Sequence, residues 1–355
     1  MAPDADGVAP GPKPFVRPTI RDVARIANVS STTVSHALSS KRRVSAETVE
    51  RIQAAISYLG YVPNSAAQNL QSGRAFMIGL VVPDVSVPFF GELAAEVERA
   101  CDAHGYGTVI SSSRKVSTGE ARFSSLLRSR AIDGMIYVTG GEGSDSDVIR
   151  LLGSYPIVLA DEFRAGLEGF PLVAADHRSG GVLAGEHLSG LGHRRVAVIE
   201  GPRGLRSSDE RLAGFLEVYP HAIVVDGNFT EEVAYHRTAK LLDLKDPPTA
   251  IFATNDNAAI GAIESARARG LEVPRDLSII GFDDIAIARR IQPALTTIRQ
   301  PISAIGYLAT KTLISLLDDG AVPSPPLADV ELIARASTAP PPPSMDTRDA
   351  LTADM

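Results

Sequence analysis

"NVSSTTVSHALSSKRRVS", residues 28–45, is the stretch on which the reading of the chain turns. Serine and threonine compete with the backbone for hydrogen bonds and are indifferent helix formers. Yet Val29, Val34 and Leu38 have the spacing of a short buried helical face. The exposed side of that helix carries hydroxyls and His36, and Lys41, Arg42 and Arg43 follow at once. A helix with such a surface needs something to set against it.

Working outward, residues 19–61 read as three short helices. Thr19 caps the first, with Asp22 three residues on in a capping-box pattern, and Val23, Ile26 and Ala27 continue it. Asn28 ends it, because asparagine tolerates the left-handed conformation a tight turn needs. Ser30 caps the second helix and Ser45 the third, whose core face is Val49, Ile52, Ile56 and Leu59. Gly60 weakens that third helix, and Pro63 is expected to end it. A small residue at Ala24, the turn at Asn28 and a β-branched residue at Val34 suit two helices crossing closely, as in a helix-turn-helix. In that geometry Ser30 and Thr33 bond phosphates, Ser31, Thr32 and His36 project toward base edges, and Lys41, Arg42 and Arg43 supply charge. A three-helix protein-interaction module with a merely solvated polar face fits the same pattern.

Charge separates this segment from the rest. The 355-residue chain has a formal net charge of −7, but residues 13–75 hold nine Lys/Arg against Asp22, Glu47 and Glu50. That is +6 for the segment, and once the two acids of the first twelve residues are counted, −11 remains for everything after Ala75. A small basic module joined to a large acidic one fits a polyanion reader mounted on a different kind of domain.

From Phe76 onward, apolar strand candidates alternate with amphipathic stretches. The strands are "MIGLVV" (77–82), "GTVIS" (107–111), "GMIYV" (134–138), "PIVLA" (156–160), "RVAVIE" (195–200), "TAIFAT" (249–254) and "LSIIGF" (277–282). Helical stretches include 90–104, 178–191, 230–244, 256–269 and 302–317. Near-continuous apolar strands between helices indicate parallel sheets covered on both faces, and the length calls for two lobes. The polar, proline-containing first 18 residues read as a disordered leader without a signal sequence, and 337–355 as a disordered tail.

Several classes of function are excluded or weakened. No run approaches the length of a membrane helix, and a cytoplasmic location is expected. The single Cys101 rules out an internal disulfide framework and any multi-cysteine metal site; it falls on a buried helical stripe and reads as core. The glycine-containing loops "TGGEGSDSD" and "EGPRGLRSS" match neither GxxxxGK[ST] nor GxGxxG, and no HExxH or GxSxG occurs. No enzyme, metal or cofactor is expected. A transport receptor would need export and has no use for a basic helical module.

Residues 19–73, "TIRDVARIANVSSTTVSHALSSKRRVSAETVERIQAAISYLGYVPNSAAQNLQSG", resemble the DNA-binding headpiece of the LacI/GalR family of bacterial transcription regulators. The resemblance continues through "IGLVVPDVSVPFF", "AGEHLSGLGHRRVAVIEGP", "ERLAGF", "FATNDNAAIGAI" and "VPRDLSIIGFDDI", and covers roughly residues 19–336. It implies an all-α helix-turn-helix headpiece plus an α/β two-lobed periplasmic-binding-protein-like (type I) effector domain. The implied organisation is leader 1–18, headpiece 19–62, hinge helix or linker 63–75, effector and dimerisation domain 76–336, and tail 337–355. It implies a homodimeric repressor that binds a near-palindromic operator in double-stranded DNA, without membrane association.

The DNA-contacting residues implied are Thr19, Arg21, Ser30, Ser31, Thr32, Thr33, Ser35, His36, Arg43, Asn64 and Leu70. In the family, the first two recognition-helix residues and one a turn later read bases; these are Ser31, Thr32 and His36. Leu70 takes the position of the hinge leucine that wedges into the minor groove. Without the resemblance it is an ordinary linker residue.

Ligands of open α/β folds sit at the carboxyl ends of strands. The effector-binding candidates are Asp84, Phe89, Phe90, Asp161, Arg211, Asn255, Asp283 and Gln300, with Arg211 at a helix start and Phe90 at the family's stacking position. Carboxylates, an amide, a guanidinium and an aromatic face suit a polyhydroxylated ring, so a sugar is the expected small-molecule effector. A non-sugar metabolite or a partner protein as corepressor is the alternative. Each candidate also has a plainer reading: Asp84, Asp161 and Asp283 as caps of the following turn, Asn255 and Asp256 as helix caps, Arg211 as a surface ion-pair partner, Phe90 as core. Two departures from the family stand out. About ten residues are missing between "ERLAGF" and the next strand, which puts the helix there in doubt. "ISSSRKVSTGE" also lacks the acidic motif usual after the second strand.

Overall fold

The computed structural model describes residues 18–39, 42–61, 74–112, 125–140, 155–163, 167, 169–320 and 325–342. The chain divides into two compact units at Ala75/Phe76. Asn64 and Leu70, with the rest of 62–73, lie outside the described residues, as do Lys41, the glycine-containing loop at 141–147 and the loop after the second strand at 113–120.

The first unit is built of α1 (Ile20–Ala27), α2 (Ser31–Ser39) and α3 (Ala46–Leu59). The Asp22 carboxylate accepts from the Thr19 backbone N–H (3.0 Å) and hydroxyl (2.7 Å). These bonds, with Arg25, hold the Asp22 carboxyl down at about 2. Asn28 takes φ 53°, ψ 51°, the left-handed turn its type allows. Ser30 caps α2 by accepting from Thr33 N–H at 3.0 Å, and Ser45 caps α3. Gly60 (φ 61°) ends α3 outright, so the stop lies three residues before Pro63. The core joins Val23, Ala24, Ala27, Val34, Ile52, Ala55 and Tyr61. On α3 the fully buried pair is Ile52 and Ala55, while Val49, Ile56 and Leu59 are half-buried, because the short helices cover only a narrow stripe.

The second unit contains two sheets. The first, from β1 (Met77–Val82), β2 (Gly107–Ser112), β3 (Gly134–Tyr137), β4 (Ile157–Ala160) and β5 (Leu172–Val173), is parallel in the order β2-β1-β3-β4-β5. The second sheet comprises β6 (Val196–Glu200), β7 (Ile223–Asp226), β8 (Ala250–Ala253), β9 (Ser278–Asp283), β10 (Thr296–Arg299) and β11 (Glu331–Ile333). Its order is β11-β10-β9-β8-β6-β7, parallel but for the antiparallel β11. α4 (Pro88–Ala103) and α9 (Ile302–Asp319) pack on each other and on the first sheet. α5 (His177–Gly190), α6 (Arg206–Val218), α7 (Glu231–Leu242) and α8 (Asp256–Ala268) pack on the second. The chain therefore passes between lobes after β5, after β10 and after α9. Cys101 is buried in the α4 core, and burial pushes its thiol up.

Strands β5, β10 and β11 were not among the sequence-expected elements, whereas the helix at "ERLAGF", which the shortening put in doubt, and the strand after it are α6 and β7. The shortened segment leaves α6 whole: it runs 13 residues and is followed directly by β7. Phe215 and Tyr219 stack at its end, and the Tyr219 hydroxyl donates to the His193 carbonyl at 2.9 Å. Helices α5 and α6 approach through glycines: a Cβ on Gly181 would strike the Arg211 carbonyl, and one on Gly214 the Arg178 carbonyl. That contact accounts for glycines that weaken α5 as an isolated helix.

The expected tail boundary at 337 needs moving. Ser337 is fully buried, and its hydroxyl accepts from Thr296 N–H at 2.8 Å. The Ala339 N–H donates to the Ser278 hydroxyl at 3.0 Å, and the Ala339 carbonyl lies 2.9 Å from His193 Nε2. The polar residues after β11 thus satisfy buried groups at the β9–β10 ends, which composition alone does not reveal.

Candidate functional site

Two surfaces collect the sequence candidates, one in each unit. In the first unit Val34 anchors α2 in the core, which turns Thr32 outward and leaves Ser31, Thr33, Ser35 and His36 half-buried on the flanks. Thr19, Arg21, Ser30, Arg42 and Arg43 are exposed. The Ser30 and Thr33 hydroxyls lie 2.8 Å apart and hydrogen-bond to each other, so both are held at the α2 N-terminus, where the helix dipole favours an anion. Thr19 is occupied differently: its hydroxyl donates to Asp22. The result is one hydroxyl-lined helix face flanked by guanidinium groups.

In the second unit a cavity of about 300 Å³ opens between the lobes, where the carboxyl ends of both sets of parallel strands meet. From the first lobe come Phe89 and Phe90 on the first turn of α4, Thr139 after β3, and Asp161 and Glu162 after β4. From the second come Arg211 on α6, Phe229 after β7, Asn255 after β8, Asp283 at the end of β9 and Gln300 after β10. Positive φ values concentrate here: Asp161 (63°), Asn228 (53°), Phe229 (58°) and Asp283 (115°). Non-glycine residues adopt such conformations at a cost that surrounding structure must offset, and they gather at binding sites.

Seven of the eight expected cleft residues line this cavity; Asp84 does not. Its carboxylate accepts from the Ser86 N–H (2.9 Å) and hydroxyl (2.8 Å), the turn-capping role that the residue type also allows. Phe89 is buried and Phe90 half-buried, their rings meeting edge to face at 5.2 Å. Asn255 caps α8, accepting from Ala258 N–H at 2.9 Å, while facing the cleft. Asp256 is not a cap but a buried tie, accepting from the Thr297 hydroxyl (2.6 Å) and Ile285 N–H (2.9 Å). Arg211 sits in the second turn of α6 rather than at its start, and it is 3% exposed, so it is no surface ion-pair partner.

Arg211 is the hub of the polar network. Its Nη1 donates to the Thr254 carbonyl at 2.7 Å and lies 3.4 Å from Asp283 Oδ1, its Nε lies 3.4 Å from His177 Nδ1, and its guanidinium carbon sits 3.9 Å from the Phe282 ring centre. Burial, with the Arg211 charge beside it, holds His177 well below the ordinary imidazole range. The neutral ring therefore accepts from Arg211 and donates from Nε2 to the Asp161 carbonyl. Burial and then the neighbouring Glu162 push the Asp161 carboxyl up to about 8, against the pull of Arg211. Burial raises Asp283 to about 6, opposed by Arg211 and by the Gln300 side-chain amide, which donates at 2.7 Å.

Sequence reading missed Glu162, His177, Ser207 and Phe229. Glu162 follows Asp161 at a strand end, a signal available in the sequence. Phe229 lies after the short strand β7, and its ring fills the space that a Cβ on Gly201 would need. A larger, more open groove of about 720 Å³ runs along β7 and α7, but its carboxylates are consumed in pairs, Arg237–Asp226 (2.7 Å) and Arg203–Glu200 (2.9 Å). Among the described residues no group of three or more potential metal ligands occurs, and no helix is long and apolar enough to cross a membrane.

Comparison with known proteins places both units. The profile "Bacterial regulatory proteins, lacI family" matches residues 19–64, and "Periplasmic binding protein-like domain" matches residues 186–338. The chain is 37% identical over 301 residues to the HTH-type transcriptional regulator DegA of Bacillus subtilis, covering 82% of this chain and 89% of that one. It is 36% identical over 305 residues to the ribose operon repressor of Halalkalibacterium halodurans, covering 84% and 90%. A crystal structure of the Lac repressor dimer bound to operator and the anti-inducer ONPF superposes with a TM-score of 0.81 at 28% identity, covering 91% of this chain and all of that one. With relatives above a third identical along nearly their whole length, the chain belongs to the lacI family of bacterial regulatory proteins.

Proposed function

We propose that this protein is a sequence-specific DNA-binding transcriptional repressor, acting as a homodimer on a near-palindromic operator and modulated by a small-molecule effector, a sugar. The reading is carried by one observation: a hydroxyl-faced helix-turn-helix and a strand-end cleft rich in carboxylates occur in one chain. Ser31, Thr32 and His36 read base edges in the major groove, where α2 enters N-terminus first. Ser30, Thr33, Ser35, Arg21 and Arg43 hold phosphates, and Thr19 does so once its hydroxyl turns from Asp22 to the DNA. Residues 63–75 form the hinge, with Asn64 against the backbone and Leu70 of each subunit in the minor groove at the central step. The protein works in the cytoplasm, where operator DNA is.

The effector binds in the cleft among Phe89, Phe90, Asp161, Arg211, Asn255, Asp283 and Gln300. Paired carboxylate and amide groups take vicinal hydroxyls while the ring's C–H face lies on phenyl. The named relative that represses a ribose operon supports a sugar. Because the cleft is walled by both lobes, a ligand that prefers one lobe arrangement shifts the hinge separation and so operator affinity. A ligand that binds both arrangements equally shifts nothing.

The test is selection of bound fragments from genomic DNA by the intact protein at moderate salt, with and without candidate sugars. A recovered near-palindrome whose occupancy responds to one sugar supports the reading. Equal recovery of random fragments under every condition removes it.

A further inference from the structure

The larger groove, of about 720 Å³, runs beside β7, the last strand of the second sheet. All four β7 residues line it, although successive side chains point to opposite faces, so the groove follows the strand's open backbone edge. On the α7 side its floor is apolar, from Val233 and Leu241. Ile223 opens β7 and Leu244 lies in the connection from α7 to β8, which places both at the amino end of the strands; they are 40% and 43% exposed. The walls carry Arg203, Arg237 and Lys240 against Glu200 and Asp226. With Arg203 and Arg237 in ion pairs, Lys240 is left with no carboxylate partner among the described residues. A net positive, half-apolar groove on an edge strand stands out in the part of the chain that carries −11.

The last described residues head for this edge. The Ser337 hydroxyl accepts from Thr296 N–H, at the start of β10, and donates to the Ile279 carbonyl of β9 at 2.5 Å. Ala339 joins Ser278, at the start of β9, to His193, which precedes β6 and bonds Thr249 at the head of β8. Pro341 Cδ comes within 4.0 Å of the place a Cβ on Gly192 would take, also just before β6. Residues 337–341 thus cross the amino ends of the strands in the order of the sheet, and β7 is next. Prolines at 340–342 favour extended backbone. Residues 343–355 follow and lie outside the described residues. Extended, they span roughly 40 Å, against about 13 Å for the four residues of β7. They hold Asp346, Asp349 and Asp354 against Arg348, with Met345, Leu351 and Met355 among them. Acidic and intermittently apolar, they complement the groove in both charge and hydrophobicity.

We propose that residues 344–355 of the same chain dock in this groove as a further strand of the second sheet, parallel to β7. Entering at the amino end of β7, Met345 covers Ile223 and Leu244. The period of two along a strand puts Asp349 on the same face as Met345, about 13 Å further on, within reach of Lys240 and Arg237. Backbone hydrogen bonds to the open edge of β7 add to these contacts, as in other cases of strand addition. The docked segment closes an edge that otherwise offers its N–H and C=O groups to a second copy of the chain.

The experiment compares the full-length protein with a chain ending at Pro342, by hydrogen exchange read by mass spectrometry over residues 219–229. In the full-length protein the β7 amides should exchange about tenfold more slowly than in the truncated one, with exchange over β9 the same in both. Asp349→Lys in the full-length chain should lose most of that protection, and adding Lys240→Glu should restore it by reversing the pair. Carbodiimide coupling of a mixture of isotopically light and heavy protein should join Lys240 to Asp349 within single chains. Equal β7 exchange in the full-length and truncated proteins overturns the proposal, as does full protection in the Asp349→Lys protein. Light–heavy coupled pairs overturn it as well, by giving the groove to the same segment of a second copy.

Discussion

Glu162, at the end of a first-lobe strand, accepts hydrogen bonds from both the backbone N–H (3.1 Å) and the hydroxyl of Ser207, in the first turn of α6 in the second lobe. A carboxylate is thereby seated at the amino end of the helix that carries Arg211. Both residues are buried, and the Phe163 carbonyl accepts from Arg206 N–H beside them at 3.4 Å. Glu162→Ala removes the acceptor for two buried donors and should cost about 1.5–3 kcal/mol in urea unfolding. It should also raise the radius of gyration of the ligand-free protein in small-angle scattering. Unchanged stability and unchanged radius would show that the contact does not hold the lobes.

Acid–base behaviour follows from the cleft carboxyls. Asp161 is raised to about 8 in the folded protein and Asp283 to about 6, from an unfolded value near 3.8. The folded state therefore binds more protons than the unfolded state above pH 3.8, so stability falls as pH rises through these values. His177, held low, acts in the opposite sense only below about 6.5, its unfolded value. Between pH 6.5 and 9 the melting temperature should decline, and Asp161→Asn should flatten that decline. Parallel curves for the two proteins would contradict the assignment.

Gly214→Ala tests the close approach of α5 and α6. The new methyl would press on the Arg178 carbonyl, backbone that cannot swing aside. Overpacking of this kind costs about 1–3 kcal/mol. Because Arg211 lies one turn away, effector affinity should fall with stability, measured by calorimetry against the same sugar as the parent. A variant with parental melting temperature would mean that the helices separate freely.

In the first unit, Asn28 occupies the left-handed region with ψ near 51°. Asn28→Val should destabilise the three-helix unit by roughly 1–2 kcal/mol, whereas Asn28→Gly should be nearly silent. Hydrogen exchange across residues 19–61 of the intact protein reports the difference. Equal protection in the two variants would rule out backbone strain as the reason for asparagine.

His36 and Arg43 separate base reading from charge. His36→Ala should relax preference at one operator position by roughly 1–3 kcal/mol. Arg43→Ala should weaken every sequence alike and reduce the salt slope by about 1. Binding profiles on randomised operators at several salt concentrations distinguish them, and a shifted preference in the Arg43 variant would reverse its role.

Much of this architecture was legible before any coordinates. Local rules suffice where a residue's neighbours in sequence are also its neighbours in space, so Asn28, Ser30 and Ser45 could be assigned as turn and caps. Central strands such as "RVAVIE" advertise themselves because both faces are buried. β7 (Ile223–Asp226) is less conspicuous: as an edge strand its ends are exposed and its apolar run is short. Asp84 shows the converse failure, a strand-end carboxylate in the right place whose nearest donors are two residues away in its own turn.

Helical and strand periodicity, cap chemistry, the basic-to-acidic division and the order of motifs are properties of short windows, and they were enough to give the two-unit plan, the family and most of the cleft's membership. That Arg211 is buried against Thr254 and Phe282 depends on contacts 43 and 71 positions along the chain. So does the seating of Glu162 on a helix of the opposite lobe, 45 positions away. Hydrogen bonds and burial between residues that distant exist only after packing.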